Sequence, residues 1–260
     1  MLESKGVSTS LSLSTTFSAT SGSALSDPST FRSIVGMLQY LMITHPDIAF
    51  VVNWVSQFMH KPTTEHWTAV KRLLRYLNST STFGLRFQPS STLQLFVYSD
   101  ADWACNPDYC KSSSGYAIFL GTNLISWASH KQHTIAKSSI EAEYCSFATA
   151  TTELTWIQSL LGELGIFLPV PLILWCHNAG ATYLTANPIF FHSRTKHLEV
   201  DFHFVRDKVA SHNLESSRSV PPWVHWTSEP VNQSPPCQPG EGMHTVNVLS
   251  AVSRVWQFNQ

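Results

Sequence analysis

The sequence is poor in charge. Only 13% of its 260 residues are Asp, Glu, Lys or Arg, and the formal net charge is -1. A balance so near zero excludes a global electrostatic pull toward phosphate, so nucleic-acid contacts would have to come from local patches. Cysteine is sparse too: Cys105, Cys110, Cys145, Cys176 and Cys237 are odd in number and share no repeated spacing. Without a CxxC pair a zinc site is not expected. The simplest reading is reduced thiols in a cytosolic or nuclear setting. No apolar run reaches the roughly 18 residues of a membrane span, so no membrane partner is expected. Arginine is missing before Arg32, which counts against reading the Ser/Thr-rich opening MLESKGVSTSLSLSTTFSATSGSALSDP as a transit peptide. It reads instead as a flexible linker over residues 1–26, of the kind expected in a piece of a longer chain.

What is present is core-forming material. Hydrophobic residues make up 43% of the chain, the composition of a globular protein, and the length suits one large domain or two small ones. From residue 31 to 59 two apolar stretches, FRSIVGMLQYLM and IAFVVNWVSQFM, flank Thr44-His45-Pro46-Asp47 and predict two helices joined by a turn. A third helix follows in PTTEHWTAVKRLLRYLNST, with Trp67, Val70, Leu73, Leu74 and Leu77 on one face. Its cations Lys71, Arg72 and Arg75 lie elsewhere, facing either a nucleic-acid backbone or plain solvent. Residues 27–90 thus form a small helical segment.

The texture then changes. LQLFVYS (93–99), GYAIFLG (115–121) and LISWAS (124–129) are short, rich in β-branched and aromatic residues, and bounded by turn formers. A long helix is predicted from about Ser139 to Leu164. Ser138 and Glu141 would form its capping box, and Gly165 would end it. VPLILWC (170–176) reads as a buried strand, and shorter helices around 179–186 and 199–209 follow. Three strands, helix, strand and helix give an α/β mixed sheet flanked by helices over 93–210. Beyond about Ser211, Pro and Ser dominate and periodicity fails, so 211–260 is expected to be a disordered tail.

Several acids fall at the ends of these elements. Asp100 closes the first strand and Asp102 follows it; Glu143 lies early in the long helix; Glu199 and Asp201 open the last one. Carboxylates converging in this way can hold hard divalent cations. Each also has an ordinary explanation, as a turn residue or a helix-dipole partner. Spacing alone supports only a mixed α/β protein.

Longer strings say more. YSDADWAC, KSSSGYAIFLGTNLISWASHKQHTIAKSSIEAEYCSFA, TTELTWIQSLLGELG and RTKHLEVDFHFVRDKV resemble, in order and spacing, the ribonuclease H domain of Ty1/copia-type retrotransposon Pol polyproteins. Upstream, SDPSTFRSIVGMLQYLMITHPDIAFVVNWVSQFMHKPTTEHWTAVKRLLRYL is similar to the segment connecting the reverse transcriptase to that domain. The resemblance runs from about Leu25 to Val209. It implies a ribonuclease H-like sheet, two Mg²⁺ ions (with Mn²⁺ as a substitute), an RNA–DNA hybrid as substrate, and the rest of the polyprotein as partner. By motif position, Asp100 matches the first catalytic aspartate and Glu143 the catalytic glutamate, leaving Glu141 as a cap. The family's fourth acid falls on Glu199 or Asp201.

The third acid is the one that departs. The family's Cys-Asp-Asn string reads Cys176-His177-Asn178 here, so an imidazole stands where a carboxylate is expected. It brings no negative charge and suits Mg²⁺ poorly. Losing one ligand is expected to cost on the order of 10³-fold in rate. His177 records either an adapted site or an unselected, drifting copy. Cys105 replaces a usual Gly, Tyr109-Cys110-Lys111 replaces a stretch with an arginine pair, and the family's Ala-Asp-Ile-Phe-Thr-Lys continuation is lost after about Ser216. No polymerase palm aspartates are present, so reverse transcription is not expected. Lys131, His133 and Lys137 before the long helix, and Arg194, Lys196 and His197 before the last, are candidate phosphate contacts. Trp103 and Trp127 read as sheet-packing residues rather than base-stacking ones. Three outcomes follow: an impaired nuclease, a binding module that does not cut, or a translated fossil.

Overall fold

Apolar residues recurring every three or four positions make three helices within residues 29–79. In the computed structural model, which describes residues 5–12, 18–90, 93–168, 171–176, 178–186, 199–211 and 214–217 (backbone only at 179, 186 and 199), α1 spans Ser29–Leu41. It starts where the Asp27 carboxylate accepts the Ser29 amide at 2.9 Å, and it buries Phe31, Val35 and Leu38. A 3₁₀ turn, Pro46–Ile48, leads into α2 (Ala49–Ser56). In α3 (Thr64–Ser79) the Thr63 amide donates to His66 Nδ1 at 3.0 Å, and the buried His66 ring stacks on Phe58 with centroids 3.9 Å apart. The three helices enclose their own core around Val35, Ile48, Val52, Val70 and Leu73.

Residues 5–12 and 18–26, expected as part of a flexible linker, are tied to these helices. Arg72 Nη2 donates to Thr9 Oγ1 at 2.6 Å, Arg75 Nε to the Lys5 carbonyl at 2.8 Å, and Ala24 bridges Thr63. Val7, Leu11 and Leu25 lie against the helical core. Polar composition hid these apolar anchors, and it also left two arginines to find acceptors within the chain rather than on a nucleic acid.

The second core lies under a sheet. Strands β1 (Leu95–Asp102), β2 (Ser113–Leu120), β3 (Asn123–Lys131), β4 (Leu172–Cys176) and β5 (Leu214–Ser217) run in the order β3-β2-β1-β4-β5. β1, β2 and β3 are antiparallel neighbours, whereas β4 is parallel to β1 and β5 to β4. This is the mixed, ribonuclease H-like sheet that the resemblance implied. Gly121, left-handed at φ 58°, makes the tight β2–β3 turn with Thr122. Helix α4 (Ser139–Glu163) crosses the sheet, burying Tyr144, Phe147, Leu154, Ile157 and Leu161 against Leu95, Val97, Ile118 and Leu174. Its ends are well defined. Ser138 Oγ accepts the Glu141 amide at 3.2 Å, and Gly165 (φ 76°) turns the chain so that the Ile166 amide reaches the Leu161 carbonyl at 2.8 Å. Helices α5 (Ala179–Ala186) and α6 (Glu199–Ala210) complete the described elements.

The expected tail boundary needs correction, because residues 214–217 form β5 and Leu214 is buried in the main core. The strand LESS has one apolar residue and no alternation, so periodicity could not mark it. Helical unit and sheet meet where Trp127 Nε1 donates to the Met42 carbonyl at 3.0 Å. That contact agrees with a packing role for Trp127. Among the described residues, no helix is long and apolar enough to cross a membrane.

Candidate active site

β1 carries Asp100 into the protein, opposite Gly115 of β2 and one residue past Ser99, which pairs with Cys176 at the end of β4. α4 brings Glu143 to the same point. Both acids are almost fully buried, at 4% and 6% exposure, and their side chains are hydrogen-bonded to each other. One turn along the same helix face, the buried Ser146 hydroxyl donates to the Asp100 carbonyl at 2.7 Å. Gln132 Nε2 donates to the Ala142 carbonyl and to Ser114 Oγ, each at 2.8 Å. These bonds fix the start of α4 against β1 and β2, and with it the separation of the two carboxyls. Neither Ser146 nor Gln132 was singled out from the sequence, although Ser146 follows Glu143 by the three residues that share a helix face.

Electrostatics follow from that burial. Desolvation, the neighbouring Asp100 charge and the bond between them push the Glu143 carboxyl up to about 9. Asp100 is raised to about 6, mainly by burial, with the Glu143 hydrogen bond opposing. Near neutral pH the pair therefore holds one proton between its two carboxyls. Asp100 Oδ2 is buried and has no hydrogen-bond partner. The Cys176 thiol, itself raised by burial, lies 3.8 Å from Glu143 Oε2.

Other expected residues are placed less closely. Asp102, half-buried, is raised by burial and faces the Cys105 thiol. Asp201 is also raised by burial; its charge acts on Tyr144 and Cys145, the two residues after Glu143. Glu199 opens α6, but its side chain is outside the described set, as are His177, Arg194, Lys196 and His197. Glu141 is a capping residue: its Oε2 accepts the Lys137 amide at 2.9 Å. Lys137 and His133 are exposed, and Lys131 Nζ sits 5.4 Å from the Tyr109 ring centre. Trp103 is nearly half exposed but donates from Nε1 to the Ala136 carbonyl at 3.0 Å, closing the loop before α4. Among the described residues no three His, Cys, Asp or Glu side chains meet in a metal-holding cluster.

Comparison with known proteins gives the chain its relatives. The chain is 50% identical over 211 residues to the retrovirus-related Pol polyprotein from transposon RE2 of Arabidopsis thaliana, a match covering 81% of the chain and 14% of that protein. It is 37% identical over 220 residues to the retrovirus-related Pol polyprotein from transposon TNT 1-94 of Nicotiana tabacum, covering 83% of the chain and 16% of that protein. The chain thus spans a small part of the length of these relatives. Among solved structures, LC11-RNase H1 matches 49% of the chain and 85% of its own at 14% identity, with a TM-score of 0.38. No protein-family model matches the chain.

Proposed function

Because the chain belongs to the Ty1/copia-type retrotransposon Pol polyproteins, we propose that its sheet domain is a ribonuclease H-type nuclease centre that hydrolyses the RNA strand of RNA–DNA hybrids, impaired by His177. The observation carrying this reading is the buried Asp100–Glu143 pair. Two carboxyls deprived of water and sharing one proton, with Asp100 Oδ2 unpartnered, lack only positive charge. A divalent cation supplies it, so the residues fit the group. Asp100 and Glu143 would hold Mg²⁺ or Mn²⁺, with Glu199 or Asp201 as a further acid from α6. Two such ions, if held there, would supply activation of water and stabilisation of the leaving oxygen of a phosphodiester.

This chain's own residues do the positioning. Ser146 and Gln132 hold α4 so that Glu143 meets Asp100; the paired carboxyls would give up the proton between them to a cation held there. Lys131 and Lys137 lie before α4, and Arg194 and Lys196 precede α6 in sequence; all four are assigned to the phosphates of the hybrid. The four described cysteines are free, which suits a reducing compartment, cytosolic or nuclear.

His177 favours one competing reading. It follows Cys176 directly, where the family carries an aspartate, so the domain would bind hybrid without cutting it. Cleavage of a labelled RNA–DNA hybrid in Mg²⁺ and in Mn²⁺ separates the two. The nuclease reading expects His177→Asp to raise cleavage by about 10³-fold, and Glu143→Gln in that background to abolish it. Inert but folded His177→Asp protein that still binds hybrid would establish the binding module instead.

A further inference from the structure

We propose that the outer ridge of α4, carrying Trp156, Leu160 and Leu164, is a self-association surface on which two copies of this chain pair about a twofold axis near Leu160. This pairing lies outside the nuclease reading and does not depend on it.

Helical spacing makes the ridge. The buried stripe of α4, Leu154, Ile157 and Leu161, packs into the sheet core. Trp156, Leu160 and Leu164 recur at every fourth position and so share a different face, exposed at 59%, 39% and 66%. Past Gly165, Ile166 at 36% and Phe167 at 82% continue the apolar surface. These five residues leave roughly 600 Å² open, at the top of the range for the largest patch on a monomer. The same patch on two copies gives roughly 1,200 Å² in total, the lower bound of a specific interface and well above a casual contact.

Charge decides what can cover it. α4 contains no Lys or Arg, and between Leu154 and Leu168 the one charged residue is Glu163. Glu153, at the border, accepts the Ser126 hydroxyl at 3.2 Å. A surface without cations does not attract nucleic acid or an anionic membrane, and a single acid is a poor anchor for a basic peptide. A second copy fits instead, because the ridge is complementary to itself. In an antiparallel pair centred on Leu160, the two Leu160 side chains meet. Trp156 of each copy then covers Leu164 of the other, residue i on j and j on i. The two Glu163 carboxylates sit at least about 9 Å apart along the helix axis, close to a Debye length, so they oppose pairing only weakly. Glu143 lies about 25 Å along α4 from Leu160, which leaves both Asp100–Glu143 pairs uncovered.

Sedimentation velocity of the full chain, from about 1 µM to about 100 µM, tests the pairing. Wild type should pass from monomer to dimer within that range, as an interface of minimal area does. Trp156→Ala should raise the dissociation constant about 30-fold. Leu160→Asp, which sets two carboxylates face to face on the axis, should stay monomeric throughout, and Leu160→Met should dimerise like wild type. Because these side chains are exposed in the monomer, thermal unfolding at about 1 µM should be the same for all four proteins, which separates lost pairing from lost folding. Wild type that stays monomeric at about 100 µM overturns the surface. So do dimers that survive both Trp156→Ala and Leu160→Asp, which would place the contact elsewhere. Monomeric wild type that binds neutral phosphatidylcholine vesicles, with binding lost in Trp156→Ala, would show a lipid-facing ridge and overturn the pairing as well. None of these results bears on cleavage by the His177→Asp protein, so the pairing and the nuclease reading fail separately.

Discussion

Asp100 and Glu143 meet in the interior with one proton between them, and that proton makes stability depend on pH. Both folded-state values lie above the ordinary carboxylate range of about 4, at about 6 and about 9. The folded protein therefore keeps protons that the unfolded chain gives up. This contribution is complete below about pH 4 and is lost as pH rises through the two folded values. In EDTA, the melting temperature should fall between about pH 5 and pH 9. Glu143→Gln should flatten that fall and melt several degrees higher than wild type at pH 8, as about 1 kcal/mol would produce. Calorimetry across that range checks it; a wild-type melting point that climbs with pH would contradict the shared proton. Asp100 and Glu143 were legible because they stand in long ordered strings. The Cys176 thiol beside Glu143 was not, since that contact needs the β1–β4 register and the crossing of α4 together.

At the scale of elements, α4 carries the site. Its stripe of Tyr144, Phe147, Leu154, Ile157 and Leu161 was plain in the 3.6-residue spacing, and Ser138 and Gly165 marked its ends. Ser138→Ala should cost about 1 kcal/mol, read by urea unfolding. Ser146→Ala should cost about 1–3 kcal/mol by leaving the buried Asp100 carbonyl without its 2.7 Å donor. In the His177→Asp background it should also lower kcat more than it raises KM, because it moves Glu143 rather than the substrate. A kcat equal to that of the parent would show that the helix is held there by packing alone. The strands were legible where Val, Ile, Phe and Tyr cluster. β5 was not, because a short edge strand of sequence LESS owes its place to Leu214 and to the parallel neighbour it pairs with.

On the scale of the whole molecule, polar contacts between the helical segment and the sheet domain include, among the described residues, Trp127 to Met42, Asn106 to Gln57, Asn123 to Gln88, and Ser18 and Ala19 to Asp108. The division into a helical segment and a sheet domain showed in the change from helical to strand-like texture after residue 90. The attachment of residues 5–12 and 18–26 did not, because single hydrogen bonds to a Ser/Thr-rich stretch leave no periodic trace. Leu214→Ala, at the far edge of the sheet, should destabilise by about 2–4 kcal/mol if residues 214–217 belong to the main core, as the burial of Leu214 indicates. An unchanged urea midpoint would detach β5 from the fold. The most direct measurement of the account is calorimetric Mn²⁺ titration near neutral pH in buffers of different ionisation enthalpy. Binding should release close to one proton per protein, and Glu143→Gln should abolish that release. Mn²⁺ binding with no proton released, or release unchanged in Glu143→Gln, would mean that the buried pair is not where the cation goes.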